Sequence, residues 1–285
     1  MSSQKPSPEG RPLVSVVIPA FRAEASVLRA VASVLEAGIP ADQLEILIES
    51  DDGQDYARAA ALSPAVRVAV TGAVASGVGP ARNRAMARAR GDWLAFLDAD
   101  DWVAPGYLAA LLPGARVRGA AAAPLVVTQA GETVLSLWQG QARLDLADLA
   151  ASGASVRLMV ARASCPPFID ALSQDILHAV HVMADAGGAL PLSDRAYHLT
   201  LSPGSVTAAQ DFSTRVAQAY HDHIRRIQAL GLPADMAGAA ANVFEAKLAL
   251  NAAFQASGMS DYYRFVARCL DAVATADGEA GNAQG

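Results

Sequence analysis

From Val14 onward the chain alternates short β-branched runs with stretches of helical period. "VSVVIP" reads as a buried strand closed by Pro19, and "LEILIE", "VRVAV" and "DWLAFLD" repeat the signal at residues 44–49, 66–70 and 92–98. Between them, "EASVLRAVASVLEAG" sets Val27, Leu28, Val31, Val34 and Leu35 on one helical face and ends at Gly38. "PARNRAMARARG" opens on a proline suited to a first helical turn and closes on Gly91. Such alternation predicts an α/β domain, a mostly parallel sheet covered by helices on both faces.

Beyond Asp101 the regularity weakens. "VAPGYLAALLPGA" predicts a short helix, "AAAPLVVTQ", "ETVLSLWQ" and "VRLMVAR" predict strands, and "RAYHLTLSPGS" a last strand and turn. "SQDILHAVHVMADAGG" is a helix with Ile176, Leu177, Val180 and Met183 on one side. From residue 206 to about 275, three helical stretches are divided by "GLPAD" and "SGMSD". The organisation expected is an α/β domain over 12–207, a helical region over 208–275, and disordered ends at 1–11 and 276–285, where bulky apolar residues are scarce.

In open parallel sheets, ligands collect outside the carboxyl ends of the strands. Three loops fall there: "PAFRAE", "SDDGQD" and "DADDW". An Asp cluster after a strand is also what a solvated turn contains, so Asp98, Asp100 and Asp101 take their meaning from their neighbours. Two acidic loops at one sheet edge repel unless a cation or a hydrogen-bonding ligand lies between them.

Composition bounds the function. A chain of 285 residues that is 53% hydrophobic builds a sizeable core, while a net charge of -6 and a pI near 5.3 argue against nucleic acid as a partner. Cys165 and Cys269 lie in no metal or disulfide spacing, which suits a reducing compartment. The start "MSSQKPSPEGRP" is polar, and no run approaches the roughly 18 apolar residues of a membrane span. The expected location is cytoplasmic, with room for peripheral contact at the inner face of the cell membrane.

Four segments, "VSVVIPAF", "DDGQD", "GVGPARNRAMARARGDWLAFLDADDW" and "PFIDALSQDILHAVHVMADAGG", stand in the order seen in family 2 glycosyltransferases, and "LSPGSVT" resembles a fifth element. The resemblance covers about residues 13–207. It implies a GT-A fold with a C-terminal helical appendage, a nucleotide-sugar donor, a divalent metal (Mn2+ or Mg2+), and transfer to a hydroxyl of a glycan or lipid-linked precursor, as in polysaccharide biosynthesis, with inversion. On this chain, Pro19, Phe21 and Glu24 would line the nucleotide pocket, and Asp51 or Asp52 would accept the ring N–H of a base, typically uracil. Arg82 would approach the nucleotide. Asp98 and Asp100 match the DXD motif, Asp98 near the ribose and Asp100 on the metal; Asp175 falls at the general base position.

The chemistry gives each group a reason. A nucleoside diphosphate leaves well when its growing charge is neutralised by a hard cation on carboxylate oxygens. Asp98 and Asp100, two apart, point to one side of an extended segment, and Asp101 to the other, in a supporting or turn role. An attacking hydroxyl must lose its proton, a task worth about 10²- to 10⁴-fold for a placed carboxylate. Asp175 opens its helix, with Ser173 as the candidate cap. Three departures stand out: Gln174 precedes Asp175 where the family usually has Glu, "DDGQD" is one residue short, and Ser202 stands where some members carry His, with His198 four residues earlier.

Other motifs carry less. Gly72, Gly77 and Gly79 miss the GxGxxG spacing, and a DxD after the fourth strand followed by Trp102 departs from the haloacid dehalogenase pattern. His221 and His223 face different ways on a helix, and Arg225-Arg226 reads as a solvated face before a lipid-binding one. The rival reading from another class is a non-catalytic protein that binds a nucleotide or partner on the same fold.

Overall fold

The computed structural model describes residues 10–202 and 211–282, with side chains to residue 272. Its first half runs β1 (Val14–Ala20), α1 (Val27–Leu35), β2 (Leu44–Ser50), α2 (Ala57–Ala60), β3 (Val66–Val70), α3 (Val78–Arg88) and β4 (Trp93–Phe96). Then follow β5 (Trp102–Val103), α4 (Tyr107–Arg118), β6 (Ala120–Ala122), β7 (Leu125–Gln129), β8 (Glu132–Leu137), β9 (Arg143–Asp145), α5 (Leu146–Ala151) and β10 (Leu158–Ala161). The chain closes with α6 (Gln174–Asp185), β11 (Ala189–Pro191), β12 (Tyr197–Leu201), α7 (Phe212–Gln228), α8 (Ala234–Ser257) and α9 (Tyr262–Asn282).

The main sheet has the order β3-β2-β1-β4-β10-β6. Its first four strands are parallel, and β10 lies antiparallel to both β4 and β6. The chain winds outward from β1 to β3, then returns to the other side of β1 as β4, which creates a switch point where the β1 and β4 loops diverge. The period-two rule explains the faces of β2: Ile46 and Ile48 enter the core with α1, while Leu47 packs with Ala85 and Ala89 of the α3 side. Glu45 and Glu49 share the side of Leu47 and are buried; Arg90 pairs with Glu45, and Arg84 with Glu49 at 2.6 Å.

Two expectations change. The run "AAAPLVVTQ" is two strands in two sheets, β6 in the main sheet and β7 in a four-stranded sheet β5-β12-β7-β8. Pro124 lies between them and lacks the N–H that would continue a ladder. Helix α9 reaches Asn282, taking in much of the tail assigned to disorder, while residues 1–9 and most of "LSPGSVT" lie outside the described residues. The C-terminal helices are joined to the sheet domain by buried polar contacts. Lys247 of α8, fully buried, donates to the carbonyls of Leu149 (3.1 Å) and Ala154 (2.8 Å) at the end of α5, where cationic groups suit the helix dipole.

Candidate active site

At the switch point two cavities meet along α3. The first, about 350 Å³, is a mostly apolar slot between Pro19 and Phe21 on one side and Gly77, Val78 and Ala81 on the other, with Asp51 at its edge. The second, about 340 Å³, shares Val78 and contains Arg82, Asp98, Asp100, Asp101, Arg157 and Asp175 among its walls. Glycine is required at position 79 of α3, because an added Cβ would lie 2.2 Å from the Ile169 carbonyl.

The two candidates for the base-reading carboxylate differ in what they have left to give. Asp52 accepts from the Arg22 amide (2.5 Å), the Tyr56 hydroxyl (2.7 Å), the Ser50 hydroxyl (3.0 Å) and the Gln54 amide (3.0 Å). Its four lone-pair sites are filled, and it organises the loop. Asp51 accepts from Ser76 and Arg84 (2.8 Å) on Oδ1 but only from the Gly77 amide (3.1 Å) on Oδ2, which leaves a site beside the slot. Glu24 is exposed and lines neither cavity.

The acidic loops are balanced first by arginines. Arg84 and Arg88 meet Glu49 at the end of β2. Arg82, nearly fully buried and lying 5.0 Å over the Phe168 ring, pairs with Asp98. Arg157 donates to Asp98 at 2.5 Å through Nη2 and to Asp175 at 2.7 Å through Nη1, with Ser155 Oγ at 2.8 Å. Burial alone would raise the Asp98 and Asp175 carboxyls, but the guanidiniums of Arg82 and Arg157 hold both below the usual range. Arg157 is the residue that sequence reasoning missed; its one signal was an arginine opening the apolar run of "VRLMVAR".

The DXD segment is a turn, not the extended stretch expected: the Asp101 amide donates to the Asp98 carbonyl at 3.1 Å. All three carboxylates therefore reach one cavity. Asp101 is buried and accepts from the Tyr197 hydroxyl (2.6 Å) and the Thr200 amide (2.8 Å), latching the turn onto β12. Burial, with Asp98 and Asp100 nearby, pushes its carboxyl up to about 8. Ser173, the candidate cap of α6, sits in the left-handed region at φ 57° and makes no side-chain cap bond; Gln174 is buried with Oε1 unpartnered among the described residues.

Asp100 is exposed at the cavity, and its carboxylate makes no ion pair among the described residues, whose ion pairs elsewhere take up Asp98 and Asp175. Burial of its surroundings and the charge of Asp98 raise its pKa. This donor set fits Mn2+ or Mg2+, which are commonly held by one or two carboxylates together with substrate phosphates. No group of three or more His, Cys, Asp or Glu residues able to hold an ion by itself occurs among the described residues.

A Rossmann-like sheet with an acid-bearing turn after β4 and a cleft at its switch point defines the class: a GT-A domain with C-terminal helices. Residues 15–153 match the family model described as Glycosyl transferase family 2. A stretch of 95 residues is 36% identical to the UDP-Glc:alpha-D-GlcNAc-diphosphoundecaprenol beta-1,3-glucosyltransferase WfgD of Escherichia coli, covering 32% of this chain and 37% of that enzyme. The match thus spans little more than a third of that relative's length. Among solved structures, S. aureus TarS 1-349 in complex with UDP-GlcNAc superposes with a TM-score of 0.61 at 17% identity, over 79% of this chain and 69% of that one. The mannosyltransferase PcManGT from Pyrobaculum calidifontis, in complex with GDP-Man and Mn2+, gives 0.58 at 17% identity, over 95% and 82%. At such identity the likeness establishes the fold.

Proposed function

We propose that the protein transfers a sugar from a UDP-sugar to a hydroxyl of a glycan or lipid-linked precursor, by single displacement with inversion. One observation carries the reading: Asp100, a carboxylate with no ion pair among the described residues, and Asp175, a carboxylate held by an arginine, line one cavity that shares Val78 with an apolar slot edged by Asp51. A flat base fits between Pro19, Phe21 and Gly77, with Asp51 Oδ2 accepting its ring N–H. The diphosphate then extends along α3 toward Asp98 and Asp100.

Asp100 would hold a divalent ion, which would supply positive charge to the leaving diphosphate. The chain supplies the rest. Arg82 and Arg157 hold Asp98 ionised and fixed in place. Asp175, kept ionised by Arg157, takes the proton of the acceptor hydroxyl as its oxygen bonds to the anomeric carbon and the bond from that carbon to the phosphate oxygen breaks. Arg157 occupies Oδ2 of Asp175, which leaves Oδ1 to take the proton.

The acceptor class draws on the E. coli relative, whose name describes a diphosphoundecaprenol-linked GlcNAc acceptor. No described helix is long and apolar enough to cross a membrane, so a lipid-linked acceptor would be met by peripheral contact. The test is calorimetry of UDP with Mn2+ followed by Mn2+-dependent hydrolysis of UDP-sugars. Binding without turnover of any UDP-sugar supports the non-catalytic alternative. Asp175→Asn should retain UDP binding while transfer falls by about 10²- to 10⁴-fold; transfer at the wild-type rate removes Asp175 as base.

A further inference from the structure

The cavity that holds Asp98, Asp100 and Asp175 is not built by the sheet domain alone. Phe212 and Tyr220 of α7 and Tyr262 and Tyr263 of α9 form part of its wall. All four are buried, and none carries a charge. The arginines and carboxylates of the cavity serve a diphosphate and its cation; the aromatic wall suits a neutral ring with apolar faces and polar edges.

The hydroxyls of this wall are not equivalent. Tyr262 donates to the Gly153 carbonyl at 2.9 Å, and the Tyr220 hydroxyl lies near Ser173, two residues before Asp175. The Tyr263 ring is buried, its hydroxyl makes no hydrogen bond among the described residues, and that hydroxyl is not one of the fully enclosed unpartnered atoms. Asp175, Arg157 and Asp101 all lie within electrostatic reach of its phenol. A donor without a partner among the described residues, on the wall of the cavity that also holds Asp175, is where an acceptor oxygen would be gripped.

We infer that α7 and α9 form the acceptor subsite, that its ligand is a neutral pyranose, and that Tyr263 determines its binding by hydrogen-bonding a ring hydroxyl while another hydroxyl faces Asp175. This rests on the glycosyltransferase reading above. It also assigns the C-terminal helices a part in the site: with buried Lys247 holding α8 to α5, the helical region is positioned as one wall of the reaction chamber. Asp175 belongs to the transfer step and Tyr263 to recognition, so the two separate kinetically.

The experiment uses the full chain with Mn2+, a UDP-sugar that it hydrolyses, and a panel of neutral p-nitrophenyl pyranosides, with p-nitrophenyl glucuronide as the charged comparison. Tyr263→Phe keeps the ring and removes only the hydroxyl. For the best pyranoside the acceptor KM should rise about three- to tenfold, the worth of one neutral hydrogen bond, while UDP affinity and donor hydrolysis stay within twofold of wild type. An unchanged acceptor KM overturns the assignment of Tyr263, and better use of the glucuronide overturns the neutral-ring inference. Wild-type protein that hydrolyses UDP-sugars but transfers to no pyranoside overturns the subsite and leaves the donor reading standing. Wild-type protein that binds no UDP refutes the donor reading, and the subsite with it.

Discussion

Arg157 donates to Asp175 across 2.7 Å, and the other arm of the same guanidinium reaches Asp98. One buried cation thus joins the turn after β4 to the start of α6, two segments 77 residues apart in sequence (175 − 98). Removing it leaves Asp175 without its cation, near Asp98, which keeps only Arg82. Arg157→Ala should lower stability by about 3–5 kcal/mol, as expected for breaking a buried pair, measured by urea unfolding. Arg157→Lys should recover only part, because a single ammonium lacks the planar fork that reaches two acceptors. Equal stability of Arg157→Ala and wild type would contradict the bridge.

Asp101 makes a distinct prediction in pH. Its folded value, raised to about 8 by burial and the charges of Asp98 and Asp100, exceeds its unfolded value of 3.8. Between those values the folded state binds more protons than the unfolded state, so this group makes stability fall as pH rises from about 5 to 8. Asp98 and Asp175 act in the opposite sense only at acid pH: their values are lowered, so their contribution is present above the unfolded pKa and is lost below about 4. Asp101→Asn should flatten the decline between pH 5 and 8 in chemical denaturation. A slope equal to that of wild type would show that Asp101 titrates normally.

On the proposed reading, Asp100 would hold the divalent ion. Asp100→Asn should lose tenfold or more of the UDP affinity gained on adding Mn2+, while affinity in EDTA remains near that of wild type. Calorimetry with and without the ion separates the two effects, and an unchanged gain on adding Mn2+ would place the ion elsewhere.

Base recognition is assigned to Asp51, since Asp52 has no acceptor site to spare. N3-methyl-UDP, which lacks the ring N–H, should bind wild-type protein at least about tenfold more weakly than UDP, the lower end expected for a hydrogen bond to a charged group. Equal affinities would mean that the base is held by the apolar walls alone.

The parts visible in the sequence are those set by local periodicity and by one contiguous motif. Alternating β-branched runs and helical faces predicted β1 to β4, α1, α3 and α6, and the segment "LDADDW" marked the turn that holds Asp98 and Asp100. These depend on neighbours two to four residues away, and residue order records such relations directly. Whether Asp51 or Asp52 faces the slot did not follow, because adjacent side chains differ only in which donors surround them. Arg157, Tyr197 and Tyr263 were equally invisible: each acts on carboxylates tens of residues distant, through pairings that exist only after β10, β12 and α9 pack against the acid-bearing turn. The sequence alone determined the fold class and where the acids stand. Tertiary structure decided which acid is neutralised, which is latched and which has no ion pair among the described residues, because those states depend on burial and on long-range ion pairing.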